Sequence, residues 1–200
     1  MSKEFNPEKF KITKKEDVYS GPHSEIDSVT LSSGDHSLDL LRKKFNGYSI
    51  EFMQGPKWHT LLKKHGYPVF PTWRYDAENK VEYVTDLRRG DTHRVIDFCG
   101  HKENYEKVYV SNIKELELEV ENLLDKSVED GLIINARNIF FDVEISTGIA
   151  KVLLGDLREL GSGSENMDYT PSKKEIFTNN QYVLKEHMDR LKSITTEEKL

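Results

Sequence analysis

The stretch that decides the fold is N-I-F-F-D-V-E-I-S-T-G-I-A-K-V-L-L-G-D-L, residues 138–157. Two short apolar runs, 138–144 and 149–154, flank a polar turn that contains one glycine. Runs of this length, rich in branched and aromatic residues and joined by such a turn, predict a β-hairpin. If the two strands pair about the turn, Asn138 and Asp156 come together at the open end of the hairpin.

The amide of Asn138 and the carboxylate of Asp156 have the chemistry of a cation site. Oxygen atoms of both kinds bind hard cations, and Mg²⁺ takes one or two protein oxygens while water and phosphate oxygens complete its shell. The pair therefore suits a site for a metal ion bound to a nucleotide. The alternative is that both side chains cap exposed backbone groups where the hairpin ends.

The composition is that of a soluble globular protein of one domain. The 200 residues are 32% charged and 36% apolar, and a chain of this length can bury a sizeable core. A net charge of −6 argues against nucleic acids and anionic membranes as partners, since both attract basic surfaces. The sequence has no apolar run of about 20 residues, the length that spans a membrane, and its N-terminus has no apolar stretch typical of a signal peptide. A single cysteine, Cys99, excludes an internal disulfide and fits a cytoplasmic protein.

The rest of the sequence divides into an arm and two lobes of one domain. Residues 1–17 are rich in Lys and Glu with little periodicity, and they predict a flexible N-terminal arm. Residues 18–90 contain short β-like runs and one helical stretch, which predict a small β-rich lobe. Residues 91–200 contain the hairpin and two helical patterns, at 112–129 and 172–195, and predict a helical lobe. The predicted fold class is therefore α+β.

The hairpin resembles that of the protein-kinase-like phosphotransferase superfamily, especially its small bacterial and aminoglycoside-phosphotransferase-like members. In that superfamily an Asn closes the catalytic loop, a hairpin of the form N-I-L-V-D…G…V follows, and an Asp opens the next loop. Asn138, Asp142, Gly148 and Asp156 match these positions. The resemblance implies a protein-kinase-like fold with a reduced N-terminal lobe and a small helical C-terminal lobe. It also implies that Asn138 and Asp156 hold Mg²⁺ on the phosphates of ATP.

Other segments follow in the order that the resemblance implies. Lys43 or Lys44, in L-D-L-L-R-K-K-F, would meet the nucleotide phosphates, and Glu51 would be the helix carboxylate that pairs with that lysine. The segment Thr85-Asp86-Leu87 would lie beside the adenine. The alternative for Lys43 and Glu51 is that both are solvated surface charges.

The chain departs from the superfamily at its catalytic positions. The catalytic Asp of the superfamily lies five residues before the Asn, and that position is Ile133 in this chain. Asp130 is the nearest carboxylate and would be the catalytic base of a shortened or shifted loop. The glycine-rich phosphate loop is also missing, because residues 19–24 contain one glycine. These departures predict a degenerate or non-catalytic member.

The sequence leaves three functions open. The first is a kinase-like protein that binds ATP with Mg²⁺, a phosphotransferase with a non-standard catalytic loop. The second is a non-catalytic, pseudokinase-type module that binds a protein partner, and the third is an α+β protein whose hairpin is purely structural. A separate metal site at His93, Cys99 and His101 is a weak signal, because three ligands occur without a standard spacing.

Overall fold

The computed structural model describes most of the chain. The described residues are 11–21, 24–33, 36–46, 50–76, 78–86, 92–98, 105–155, 157 and 171–196, without the side chains at 14, 19, 36, 50–54 and 73. Two residues of the predicted nucleotide site, Leu87 and Asp156, and the side chain of Glu51 lie outside this part. The described elements confirm the predicted α+β class.

The first unit is a five-stranded antiparallel sheet. Its strands are β1 (Lys11–Ser20), β2 (Ser24–Ser33), β3 (His36–Phe45), β4 (Thr72–Asp76) and β5 (Val81–Thr85), in the order β1-β2-β3-β5-β4. Helix α1 (Ile50–Lys64) stands between β3 and β4 in the chain. It ends before Gly66, whose φ of 73° is the left-handed conformation that glycine adopts at helix C-termini.

Strand β1 corrects the prediction of a flexible arm over residues 1–17. Residues 11–17 of that arm lie in β1 and pair with β2. The described side chains of β1 are all exposed, so the strand has no apolar periodicity that the sequence could show. Hydrogen bonds to β2, rather than burial, hold β1 at the edge of the sheet. Residues 1–10 lie outside the described part.

The second unit combines a three-stranded antiparallel sheet with two helices. Its elements are β6 (His93–Asp97), β7 (Val108–Tyr109), α2 (Ile113–Glu129), β8 (Ile139–Glu144), β9 (Ala150–Leu154), α3 (Lys173–Ile194) and β10 (Thr195–Thr196). The sheet has the order β6-β8-β9, and β7 pairs in parallel with β10. A 3₁₀ turn, Ala136–Asn138, leads into β8.

The predicted hairpin is confirmed as β8 and β9. Ile139 pairs with Leu154 at its open end, and the turn at its closed end contains Gly148 with a φ of 71°. Side chains of β8 alternate between two environments, as a strand requires. The fully buried ones are Ile139, Phe141 and Val143. The hairpin therefore presents one face to the main core and leaves Phe140 on the other face.

The main core lies between the hairpin and the two long helices. Helix α2 contributes the apolar stripe that its sequence predicts, and α3 packs against α2. The buried apolar residues of these helices include Leu116, Val120, Leu123, Val183, Leu184, Met188 and Leu191. Each contributes roughly 1.5–3 kcal/mol of transfer free energy when it is fully buried. This packing fixes the hairpin on the helices.

One stretch of backbone joins the second unit to the first. The Leu154 carbonyl of β9 accepts a hydrogen bond from the Phe70 N–H at 2.8 Å, and the Leu154 N–H donates to the Pro68 carbonyl at 2.6 Å. Val69 and Leu154 thereby form a parallel bridge between the hairpin and the segment that enters β4. The two sheets are tied together at the residue where the hairpin ends.

A buried asparagine of α3 fixes the loop between α2 and the hairpin. The Asn180 amide oxygen accepts the Ile134 N–H at 2.9 Å, and its nitrogen donates to the Leu132 carbonyl at 2.7 Å and to the Ser127 hydroxyl at 2.8 Å. Asn180 is fully buried. A buried amide whose oxygen and both N–H groups have partners favours a single conformation of the loop.

Asn180→Ala is expected to lower the free energy of unfolding by about 2–4 kcal/mol, because it leaves the buried Ile134 N–H and Leu132 carbonyl without this partner. Urea unfolding followed by circular dichroism measures the change. Tyr182→Ala, on a 69% exposed side chain of the same helix, is the control and should change the value by less than about 0.5 kcal/mol. Equal effects of the two substitutions would show that the asparagine network does not stabilise the loop.

Candidate ligand-binding cleft

A cavity of about 360 Å³ lies between the two sheets. At one end its walls are apolar, one from the first sheet and the other from the hairpin and the residues that follow it. These walls consist of Leu41 and Val84, which are partners in the sheet, on one side and Phe140, Leu154 and Leu157 on the other. Opposed apolar walls of this kind suit a flat ring.

The other end of the cavity carries a row of polar side chains. In the strand register Lys43 of β3 stands directly opposite Glu82 of β5, and Glu82 stands opposite Tyr75 of β4. The His59 ring of α1 continues the row, with its centroid 6.2 Å from that of the Tyr75 ring. All four residues line the cavity and are half-buried. The row therefore combines a cation, a carboxylate, a phenol and an imidazole.

Burial sets the protonation of the phenol and the imidazole in this row. It raises the pKa of Tyr75 above its usual range, and the neighbouring Glu82 carboxylate raises that pKa further. The Tyr75 hydroxyl therefore stays protonated at neutral pH and can donate a hydrogen bond. Burial also lowers the pKa of His59, whose Nε2 lies 3.2 Å from the Phe70 carbonyl oxygen. The imidazole is thus neutral near pH 7, with Nε2–H as the donor.

The structure separates the two candidate lysines. Lys43 lines the cavity, and its Nζ lies 5.2 Å from the centroid of the Phe45 ring. Lys44 is exposed and, because side chains alternate along a strand, lies on the opposite face of β3. Glu51 lies in the first turn of α1, and its side chain is outside the described part. Only Lys43 of the two lysines is therefore placed to meet a ligand in the cavity.

The segment predicted to lie beside an adenine follows β5. Asp86 is buried and accepts a hydrogen bond from the Ser28 hydroxyl at 2.9 Å. Thr85 and Asp86 do not line the cavity, whereas Val84, the residue before them, does. Leu87 lies outside the described residues. The described part of the segment therefore borders the apolar end of the cavity without entering it.

The Asn138 side chain is fully buried at the open end of the hairpin. Its Oδ1 accepts the Asn135 N–H at 3.0 Å, and its Nδ2 donates to the Gly155 carbonyl at 3.2 Å. These bonds cap backbone groups, which is the structural role that the sequence left open. An amide oxygen has two lone pairs, so the bond to Asn135 does not by itself preclude a metal contact. Asp156 is outside the described residues, but its neighbours Gly155 and Leu157 both line the cavity.

Asp130 is engaged away from the cavity. It is the C-cap of α2, and its Oδ2 accepts the Tyr67 hydroxyl at 2.8 Å. His65 Nδ1 and Lys126 Nζ lie 3.8 and 3.9 Å from the same oxygen. Neither Asp130 nor Ile133 lines the cavity. The structure therefore does not bring the candidate base to the predicted nucleotide site.

The sequence patterns do not single out Glu82, Tyr75 or His59, which the structure brings together. The one available signal is a carboxylate at the second position of the short strand V-E-Y-V-T, which the order of the sheet places inside it. A charged residue in such a strand is unusual and points to a partner. Its partner depends on strand register, which short strands do not reveal from sequence alone.

Of the three candidate metal ligands at His93, Cys99 and His101, the structure describes only His93. His93 Nδ1 donates to the Asp142 carboxylate at 2.9 Å, across β6 and β8. Cys99 and His101 lie outside the described residues. Within the described ranges, no group of three or more His, Cys, Asp and Glu side chains could hold a metal ion.

Comparison with models of known protein families finds no match to this chain, and comparison with curated proteins finds none either. In the part of the chain that the structure describes, no helix is long and apolar enough to cross a membrane. The function is therefore inferred from the geometry and chemistry of the cleft.

Acidification below about pH 6.5 is expected to destabilise the protein through His59. Burial keeps the imidazole neutral in the folded protein, whereas the unfolded chain binds a proton near the ordinary pKa of 6.5. The free energy of unfolding therefore falls as the pH falls below that value. Urea unfolding between about pH 7.5 and pH 5 measures this slope, which should be smaller in His59→Gln.

The remaining slope should come in part from His187, whose pKa is also lowered by burial. A titration of the His59 ring by NMR gives an independent measurement. A titration midpoint at or above the ordinary value of 6.5 would contradict the prediction.

Proposed function

We propose that this chain is a kinase-like protein that binds ATP with Mg²⁺ in the cavity between its two sheets. The observation that carries the proposal is the position of Lys43, the only lysine or arginine among the described residues that line the cavity. It stands at the polar end, and apolar walls form the other end. A nucleotide needs both features, since a cation binds its phosphates and apolar walls hold its base.

The order of the elements supports the kinase-like interpretation. In protein kinases the lysine that binds phosphates lies on the third strand, and the carboxylate that pairs with it lies on the helix αC. In this chain β3 carries Lys43, and α1 follows with Glu51 in its first turn. Strands β4 and β5, helix α2 and the hairpin then come in the order that the resemblance implies.

The open end of the hairpin would hold Mg²⁺ through Asp156 and Asn138. Asp156 stands in sequence between Gly155 and Leu157, which line the cavity. Asn138 would contribute its Oδ1, which accepts a backbone N–H in the structure. Bound Mg²⁺ would neutralise charge on the phosphates. Lys43 would share that task from the other sheet.

The loop before the hairpin favours binding over phosphoryl transfer. Residues 131–137 contain no carboxylate, and Ile133 stands where the superfamily has its catalytic Asp. Asp130 is held by Tyr67 outside the cavity. A general base must come within hydrogen-bond reach of the proton that it removes. The same observation favours the second candidate function, a non-catalytic module that binds a protein partner.

ATP with Mg²⁺ is expected to raise the melting temperature of the native chain, because a ligand that binds only the folded state stabilises it. At 100 times its Kd, a ligand adds roughly 2.7 kcal/mol to the free energy of unfolding. Differential scanning fluorimetry with ATP alone and with ATP plus Mg²⁺ measures the shift. Asp156→Ala should lose the part that depends on Mg²⁺.

The two ways in which this experiment can fail have different meanings. No shift at millimolar ATP would contradict nucleotide binding and direct the search to protein partners. A shift that is equal in the native chain and in Asp156→Ala would keep nucleotide binding and remove the hairpin from the metal site.

Lys43→Ala is expected to weaken ATP binding about tenfold or more, a loss of about 1.4 kcal/mol, because it removes the cation from the cavity. Lys44→Ala is the matched control, since it removes the same charge from the other face of the same strand. Its ATP affinity should stay within about twofold of the native value. Isothermal titration calorimetry measures both variants. Equal losses would mean that net charge, and not the position of Lys43, attracts the nucleotide.

A further inference from the structure

A half-buried carboxylate, Glu82, shares the polar end of the cavity with Lys43. Among the described residues that line the cavity, the only other carboxylate is Asp97, which belongs to β6 in the second sheet. A carboxylate that is partly removed from water is stable when a cation or a hydrogen-bond donor compensates its charge. The strand register gives Glu82 one neighbour of each kind.

The central strands hold Lys43 and Glu82 opposite each other. Strand β3 pairs with β5 from Leu40 to Lys44, and Lys43 and Glu82 are direct partners in that ladder. The Cβ atoms of such partners lie about 4.5–5.5 Å apart, which is within reach of a salt bridge. The Lys43 Nζ lies 5.2 Å from the centroid of the Phe45 ring, so the ammonium stays close to the sheet. The sheet thus fixes this carboxylate beside the lysine without any contribution from α1.

Tyr75 holds the other side of Glu82. The phenol stands opposite Glu82 in β4, and the Glu82 charge raises the pKa of the phenol. Because the hydroxyl stays protonated at neutral pH, it can donate a hydrogen bond to a neighbouring carboxylate. A carboxylate that stands between a phenol and an ammonium has little freedom to turn away.

We propose that Glu82 is the positioning residue for Lys43 and holds its ammonium where it meets the phosphates of the bound nucleotide. This inference rests on the proposed function and concerns the carboxylate that serves the same site. In protein kinases that carboxylate comes from a helix, whose position is regulated. In this chain it comes from the neighbouring strand. The lysine is therefore in place before the ligand arrives, wherever α1 stands.

Glu82→Gln tests this role because it keeps the shape of the side chain and removes its charge. ATP affinity is expected to fall about tenfold, since Lys43 loses the charge that orients it. Adenosine has no phosphate and should bind within about twofold of its native affinity. Glu25→Gln makes the same change on β2, opposite Lys44 and therefore on the other face of the sheet, and should leave ATP affinity within about twofold. Isothermal titration calorimetry with both ligands measures the native chain and both variants.

Two results decide the test: whether the affinity for ATP falls or rises, and whether the affinity for adenosine, which has no phosphate, stays the same. Unchanged or tighter ATP binding in Glu82→Gln overturns the inference, because a carboxylate that only repels phosphate would improve binding when it is neutralised. A similar loss of ATP affinity in Glu25→Gln also overturns it, because the loss would then not depend on the position of the carboxylate. Failure of the native chain to bind either ATP or adenosine overturns the proposed function, and this inference with it.

Tyr75→Phe provides a second test if Glu82→Gln does not fold. It removes the hydroxyl on the residue opposite Glu82 and keeps the ring that packs against His59. ATP affinity should fall in the same direction as in Glu82→Gln but by less, while adenosine affinity stays at its native value. An unchanged ratio of ATP affinity to adenosine affinity would overturn the role of Glu82.

Discussion

The backbone of Leu154 joins the two sheets, and the cavity depends on that junction. Its N–H and carbonyl bond to Pro68 and Phe70, so the last residue of the hairpin belongs to both units. Leu154 is fully buried, and a buried backbone group that loses its partner finds no water to replace it. Phe70, Leu154 and Gly155 all line the cavity. A movement of the hairpin against the first sheet would therefore change the cavity directly.

The same junction explains the glycine that precedes Asp156. A Cβ at Gly155 would lie 2.8 Å from the Phe140 ring and 3.4 Å from the Phe70 ring. These two rings meet edge to face, with centroids 5.5 Å apart. A residue without a side chain lets one ring from each unit pack together at the point where the units join. The residue directly before Asp156 is therefore a glycine because two rings that line the cavity pack together at that point.

Under the proposed function, ligand binding and phosphoryl transfer would depend on different parts of this chain. The side chains that would bind a ligand include Lys43, Glu82 and Tyr75, which lie on strands whose register is fixed by backbone hydrogen bonds. Transfer would need a base in the loop before the hairpin, which instead carries buried apolar residues held by Asn180. Packing and hydrogen bonds therefore hold this loop in place, but it contains no carboxylate that could act as a general base. The proposed nucleotide binding therefore does not require an efficient reaction in the cavity.

The sequence by itself determined the local elements. The hairpin followed from two apolar runs around a glycine, and α2 followed from its apolar stripe, because short-range periodicity produces both. The tertiary structure decided that β1 is a strand, that Lys43 rather than Lys44 lines the cavity, and that Glu82 stands opposite Lys43. It also decided that Asn138 caps a backbone group and that Asp130 pairs with Tyr67. The physical reason is that each of these facts depends on strand register or on packing between distant segments, and such long-range pairing leaves little trace in the local pattern of the chain.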